Sequence, residues 1–267
     1  MSRSGYYAWI ERPAQIVSEN TLKLYRRTKA LFIESRQSLG SRGLMIALQK
    51  EGFTVGRYQV RTLMRKLNLV VTQRVAYKVT TKSDPQHRSS PNLVNMQFNP
   101  KAINQVWASD ITYLRTAQGW MYLCVVMDLY SRRIVGWSID RRMTTDLVTK
   151  AVKQAYWLRK HPKGVILHSD RGSQYTSKAL RTELAKMGIK QSMGDVGACW
   201  DNAVVERFFG SIKHDWLLKV HHATREEMAA DVAAYMKYYN LKRLHTANNN
   251  MSPIEYENSQ MKVSNYA

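Results

Sequence analysis

The chain predicts an α/β protein, a mixed five-stranded sheet with flanking helices, preceded by a small helical region. Two observations carry this. Apolar residues repeat at helical spacing through the first part of the chain, and strand-like runs take over from residue 103. Beyond that point the patterns follow in the order βββαβαβα with one further helix, which implies a mixed sheet covered by helices.

Residues 20–37 are polar-rich, with Leu22, Tyr25, Leu31 and Phe32 at roughly helical spacing. A second helical stretch begins at Ser41-Arg42-Gly43-Leu44 and breaks at Glu51-Gly52-Phe53-Thr54. A third has Val60, Leu63, Met64 and Leu67 at i, i+3, i+4 and i+7. Two short helices joined by a Gly-containing turn resemble a helix-turn-helix. Arg57, Arg61 and Arg65 form a stripe on the face away from the apolar row. The stripe has two readings, a recognition helix facing DNA or a solvated basic surface. Residues 76–102 are polar and aperiodic and read as a linker.

Val106–Leu114, the near-continuous apolar run Trp120–Leu129, and Arg133–Ile139 read as strands, the last two joined as an antiparallel hairpin. Thr144–Arg159 reads as a helix with Thr144 or Thr145 as N-cap. Gly164–His168 is a short strand, Ser177–Met187 a helix closed by Gly188, and Ile189–Met193 a fifth strand. Asp201–Leu218 and Arg225–Tyr239 are the last helices. The division is a helical region at 1–75, the linker, a sheet-bearing core at 103–220, and a helical tail at 221–267.

The net charge is +21. Residues 1–95 carry +12, residues 96–216 carry +8, and the remainder +1. A basic excess of this size points to a polyanionic partner, with nucleic acid the default. No apolar run approaches the ~18–20 residues of a membrane span, and the N-terminus lacks a signal-peptide core. Cys124 and Cys199 are the only cysteines. Two cysteines argue against a disulfide framework or a zinc cluster and fit a reducing cytoplasm.

Three acids stand out. Asp110 and Asp170 each lie at the end of an apolar strand-like run, and Glu206 lies early in a helix. Convergence of the three would gather carboxylates without Cys or His, a donor set suited to a hard ion such as Mg²⁺. Two such ions, roughly 3.5–4 Å apart, are the usual arrangement for phosphodiester displacement. Spacing alone does not separate these acids from Asp128, which begins a turn, Asp201, which suits a helix cap, or Asp195, which suits a loop.

The surrounding words do. Trp107-Ala108-Ser109-Asp110-Ile111-Thr112-Tyr113, His168-Ser169-Asp170-Arg171-Gly172-Ser173-Gln174-Tyr175 and Asp201-Asn202-Ala203-Val204-Val205-Glu206-Arg207-Phe208-Phe209 closely resemble the three signatures of the DDE transposase/retroviral integrase superfamily. The match is to its OrfB-type insertion-sequence transposases. The 35-residue gap between Asp170 and Glu206 is that family's, as is a basic residue seven positions after the Glu, here Lys213. Ser2-Arg3-Ser4-Gly5-Tyr6-Tyr7 resembles the family's opening, and Tyr239-Asn240, Arg243, His245, Pro253 and Tyr256 resemble its C-terminal tail.

The resemblance implies an RNase H-like fold and a cytoplasmic, nucleoid-associated enzyme. It would cleave a strand at an element end and join the released 3′-OH to another phosphodiester. Asp110, Asp170 and Glu206 would be the catalytic acids and would hold two Mg²⁺ ions, with Mn²⁺ able to substitute. Lys213, Arg57, Arg61, Arg65, Arg171 and Gln174 would contact DNA. Lys213 has a second reading as a surface lysine. His168 and Gln174 would orient substrate or metal-bound water, while Trp107 and Trp200 would pack behind the acids. Gly194, Gly197 and Ala198 suit a flexible loop before the Glu helix. Implied partners are double-stranded DNA of element ends and target, an upstream-frame protein or its frameshift fusion with this chain, and further copies assembled on DNA. The rival readings are a non-catalytic DNA-binding regulator or accessory subunit of that fusion, and a nuclease on RNA–DNA hybrids.

Overall fold

The structure, a computed structural model, describes residues 2–10, 17–71, 90–94, 99–194 and 203–264. The expectations for Asp195, Gly197, Ala198, Trp200, Asp201 and Asn202, and for most of the linker, lie outside the described residues. The chain divides into two units, Met1–Gln73 and Arg74–Ala267.

The first unit contains α1 (Arg3–Ile10), α2 (Glu19–Glu34), α3 (Ser41–Lys50) and α4 (Arg57–Lys66). α1 has no counterpart in the sequence reading. Ser18 caps α2, accepting a hydrogen bond from Thr21 N at 3.3 Å. Leu24 and Phe32 of α2 are buried against Leu44 and Leu48 of α3 and Val60 and Leu63 of α4, and Thr28, between them on the same face, is buried as well. The α3–α4 turn needs the positive φ of +89° that Gly52 supplies. Gln49 closes it by donating to the Val55 carbonyl at 2.8 Å.

The second unit is built on β1 (Val106–Thr116), β2 (Gly119–Asp128), β3 (Arg133–Asp140), β4 (Ile166–Ser169) and β5 (Lys190–Met193), in the order β3-β2-β1-β4-β5. β1, β2 and β3 pair antiparallel; β4 pairs parallel with β1 and with β5. This mixed five-stranded order is the RNase H-like topology implied by the resemblance. α5 (Thr145–Leu158) and α7 (Lys178–Met187) bury Val148, Ala151, Leu180 and Leu184 against Cys124, Val126 and Val135 on one sheet face. Gly136 allows the close approach of α5, since a Cβ there would run into the Ala151 carbonyl. Thr144 is the N-cap of α5 by backbone position, but its side chain makes no capping hydrogen bond. Gly188 closes α7 in the left-handed region, as its position predicts. The short α6 (Ser173–Thr176) precedes α7 and went unread in the sequence.

The opposite face is covered by α8 (Ala203–Asp215) and α9 (Arg225–Leu241). Val205, Phe208, Phe209 and Ile212 of α8 join Val232, Tyr235 and Tyr239 of α9 against Ala108, Leu123, Val125 and Met127. α9 thus shares one core with the sheet. The tail residues quoted for the family hold this arrangement together. Asn240 accepts from Ile134 N and donates to the Ile134 carbonyl, both at 2.9 Å, which blocks the outer edge of β3. Arg243 binds Asp215 at 3.2 Å and Ser211 at 3.0 Å. Pro253 opens α10 (Pro253–Ser264), a helix absent from the sequence reading.

Candidate active site

The parallel register of β1 and β4 sets Val106 opposite Ile166, Trp107 opposite Leu167 and Ala108 opposite His168. Two residues further on, Asp110 is level with Asp170, the residue just beyond β4. Neighbouring strands lie about 4.8 Å apart, so the two acids leave adjacent chain positions side by side. Side chains alternate along β1, and Ala108 and Leu114, in phase with Asp110, pack in the cluster that contains α8. Asp110 therefore faces the helix that carries Glu206 in its first turn. Lys213, two turns along the same side, holds its ammonium 5.1 Å from the centroid of the Tyr113 ring.

Electrostatics join the four groups. Burial, then the neighbouring Asp170, push the pKa of Asp110 up to about 8, with Glu206 adding to the rise. The Ile111 N–H, donating to Asp110 at 2.7 Å, and the Lys213 charge act against it. Asp170 is raised by burial, opposed by the Gly172 N–H at 3.1 Å. Its side chain is nevertheless open to solvent, so water screens it and Asp110 is the more strongly perturbed acid. The protein around Glu206 raises it as well, although it too is exposed. Burial lowers the Lys213 ammonium and Asp110 raises it.

Among the described residues no three His, Cys, Asp or Glu side chains are arranged to hold a metal ion as they stand. The fit is that of an incomplete cage. Asp110 and Asp170 offer only oxygen donors, and their mutual repulsion is what a hard divalent cation relieves. Glu206 lies within electrostatic reach of Asp110, at the opening of a helix whose preceding residues are not described.

A buried layer behind the acids escaped the sequence reading. The Ser109 and Tyr175 hydroxyls are hydrogen-bonded at 2.8 Å, linking the residue before Asp110 to the segment after Asp170. Gln191 of β5 donates to the Tyr175 carbonyl at 2.7 Å. The signal was available in the alternation of β1, which turns Ser109 away from Asp110 and into the core. Gly172 is tight for a related reason, because a Cβ there would stand 3.1 Å from Asp170 Oδ1.

Other expected residues are distributed differently. His168 is buried, with Nδ1 2.9 Å from Ser192 Oγ, so it ties β4 to β5 and has no exposed edge for substrate or water. It was drawn to the site by its nearness to Asp170 in sequence, but β5 covers it. Gln174 donates to the Met143 carbonyl at 3.2 Å and Arg171 to the Gly194 carbonyl at 2.7 Å, so both brace loops around Asp170. Trp107 is fully buried, in keeping with packing. Asp128 is a buried turn acceptor, bound by Tyr130 N at 3.1 Å and Asn104 N at 2.9 Å. In the separate N-terminal unit, Arg57, Arg61 and Arg65 are exposed on α4 beside Tyr58, itself 80% exposed and missed as a candidate.

Family comparisons match the chain in separate stretches. A family described as Integrase core domain matches residues 100–199, a second of the same description matches 187–253, and an HTH-like domain matches 19–77. The chain is 37% identical over 270 residues to transposase InsF for insertion sequence IS3A of Escherichia coli (strain K12), covering 98% of this chain and 92% of that one. It is 36% identical over 257 residues to the insertion element IS600 uncharacterized 31 kDa protein of Shigella sonnei, covering 96% and 94%. Among solved structures, a chain of the simian T-cell lymphotropic virus intasome in complex with PP2A regulatory subunit B56 gamma aligns with a TM-score of 0.52 at 15% identity, covering 86% of this chain and 74% of that one. That likeness is one of fold. The extended identity to insertion-sequence proteins, with the integrase core and HTH-like matches, shows that the chain belongs to the OrfB-type insertion-sequence transposases of the transposase/retroviral integrase superfamily.

Proposed function

We propose that this chain is a DNA transposase that cuts one strand at the end of an insertion sequence and joins the released 3′-OH to a second phosphodiester. One observation carries the reading. Asp110 and Asp170 stand level on adjacent parallel chain segments, and Glu206 and Lys213 act electrostatically on Asp110 from one helix. Asp110, Asp170 and Glu206 are the residues that would hold Mg²⁺ or Mn²⁺. Bound there, the ions would supply Lewis-acid polarisation of the phosphate and lower the pKa of the attacking oxygen's proton. Asp110 and Asp170 fix the ligand end of the site through the Ser109–Tyr175 link and the Gly172 N–H. Lys213 binds the phosphate next to the scissile one, as a cation on the Glu206 side of α8. Arg57, Arg61 and Arg65 on α4 hold the duplex in the major groove, with Tyr58 beside them. The substrate is double-stranded DNA of the element ends and target, in the cytoplasm, and pairing two ends brings copies of the chain together on DNA. An upstream-frame protein, or its fusion with this chain, would deliver the element end.

No described helix is long and apolar enough to cross a membrane. Incubating the purified chain with terminal-repeat duplex and Mg²⁺ separates the catalytic reading from an accessory one. Strand-specific nicks with a 3′-OH are the expected result. Stable binding without nicking over hours would replace this reading with that of a DNA-binding accessory subunit.

A further inference from the structure

The β1–β2 hairpin runs on past the acids and ends in a strip of aromatic and cationic side chains. Tyr113 and Trp120 are 45% and 44% exposed, although large rings are normally covered. Their centroids lie 5.4 Å apart in an edge-to-face pair. The register sets Arg115 opposite Trp120 and Tyr113 opposite Tyr122, so the rings are diagonal neighbours on one face of the hairpin. A cation flanks each ring. Lys213 stands 5.1 Å from the Tyr113 centroid, and the Arg115 guanidinium stands 5.5 Å from that of Trp120.

The strip is held firmly. Ala117 N donates to the His222 carbonyl at 3.0 Å, and Arg225 donates to the Gln118 carbonyl at 2.8 Å, so the start of α9 and the segment before it pin the hairpin tip. Tyr113 is three strand residues from Asp110, about 10 Å along β1, and so points to the opposite sheet face; Lys213, which acts on Asp110 and stands over the Tyr113 ring, links the two places. None of these contacts is required for burying a core, and neither ring belongs to one of the buried clusters.

We propose that Tyr113 and Trp120 form a stacking site for unpaired DNA bases on the hairpin face opposite Asp110, joined to the acids through Lys213, with Lys213 and Arg115 taking the flanking phosphates. The inference rests on the DNA reading above. Within a duplex, base faces are covered by their neighbours, so an exposed ring can stack only on a terminal or extruded base. Cutting at Asp110 and Asp170 creates a strand end whose frayed bases can pass round the β1 edge beyond its pairing with β4, where Lys213 serves both places. Alternating rings and cations are the recurring solution for holding single strands without sequence preference.

The test uses the full chain without divalent ions, so that binding is read apart from cleavage. Fluorescence anisotropy compares an oligothymidylate with an abasic strand of the same length. The chain should prefer the oligothymidylate about tenfold, the ratio given by one stacked base worth about 1.4 kcal/mol. Trp120→Ala and Tyr113→Ala should each reduce that preference without weakening the abasic strand, and Trp120→Phe should keep most of it. A preference unchanged in both alanine variants would overturn the proposal. So would an equal loss on both strands, which marks a phosphate contact or damaged folding. If the unsubstituted chain binds neither strand, this proposal falls, while the duplex reading stands or falls on the nicking assay above.

Discussion

Asp110 is the residue on which the site turns. An unperturbed Asp titrates near 3.8, and here burial and Asp170 push the value up to about 8. Between those values the folded chain holds a proton that the unfolded chain has released, so stability falls as pH rises through the window. Asp110→Asn is neutral throughout and removes that slope. Without divalent ions the variant should melt above the parent at pH about 8 and near it at pH about 4, by roughly 2–4 °C for each 1 kcal/mol of relieved repulsion. Adding Mg²⁺ should raise the parent's midpoint and leave the variant's almost unmoved. Thermal denaturation at the two pH values reads both effects, and an unchanged slope would remove Asp110 as its source. Asp170 was legible because a strand ends just before it, and both acids because their flanking words are specific; the strand end expected at Asp110 is not there, since β1 runs through it to Thr116. His168 was misread because proximity to Asp170 along the chain gives no warning that β5 covers it.

Elements are joined by interactions that the sequence does not announce. Glu257 on α10 is buried and binds Ser131 at 2.6 Å, Arg133 at 2.6 Å and Arg159. Arg159, at the end of α5, also reaches Asp128 at the end of β2, at 3.2 Å. Burial works against ionisation of Glu257, but Arg159, Ser131 and Arg133 hold its carboxyl below the usual range. The network fastens α10 to the β2–β3 turn and α5. Breaking one side of such a buried pair costs about 3–5 kcal/mol, because the remaining charge loses its partner. Glu257→Gln should therefore lower stability by a loss of that order in urea denaturation, and a loss under about 1 kcal/mol would contradict the role. Asp128 was legible as a turn residue from its local setting. Glu257 was not, since its Ser131 partner is 126 positions away and no periodic pattern marks the pair. The five strands, by contrast, were legible from apolar runs and turns, because their signals lie within each segment.

At the scale of the molecule, the sheet order converts three distant sequence words into one location. The β4 crossover brings Asp170 beside Asp110, and packing of α8 on the face of Ala108 and Leu114 brings Glu206 and Lys213 toward Asp110. The RNase H-like order needed the family resemblance as well as the patterns, because an order of strands along a chain fits several sheet topologies. Basic charge is shared by both units, whereas the acids belong to the second alone. Binding and chemistry are therefore separable. The most direct test is strand transfer by Asp110→Asn, Asp170→Asn and Glu206→Gln on terminal-repeat DNA with Mg²⁺, beside DNA binding without metal. Each variant should lose activity by about 100-fold or more while metal-free binding is retained. Near-normal strand transfer by any one of the three would contradict the account.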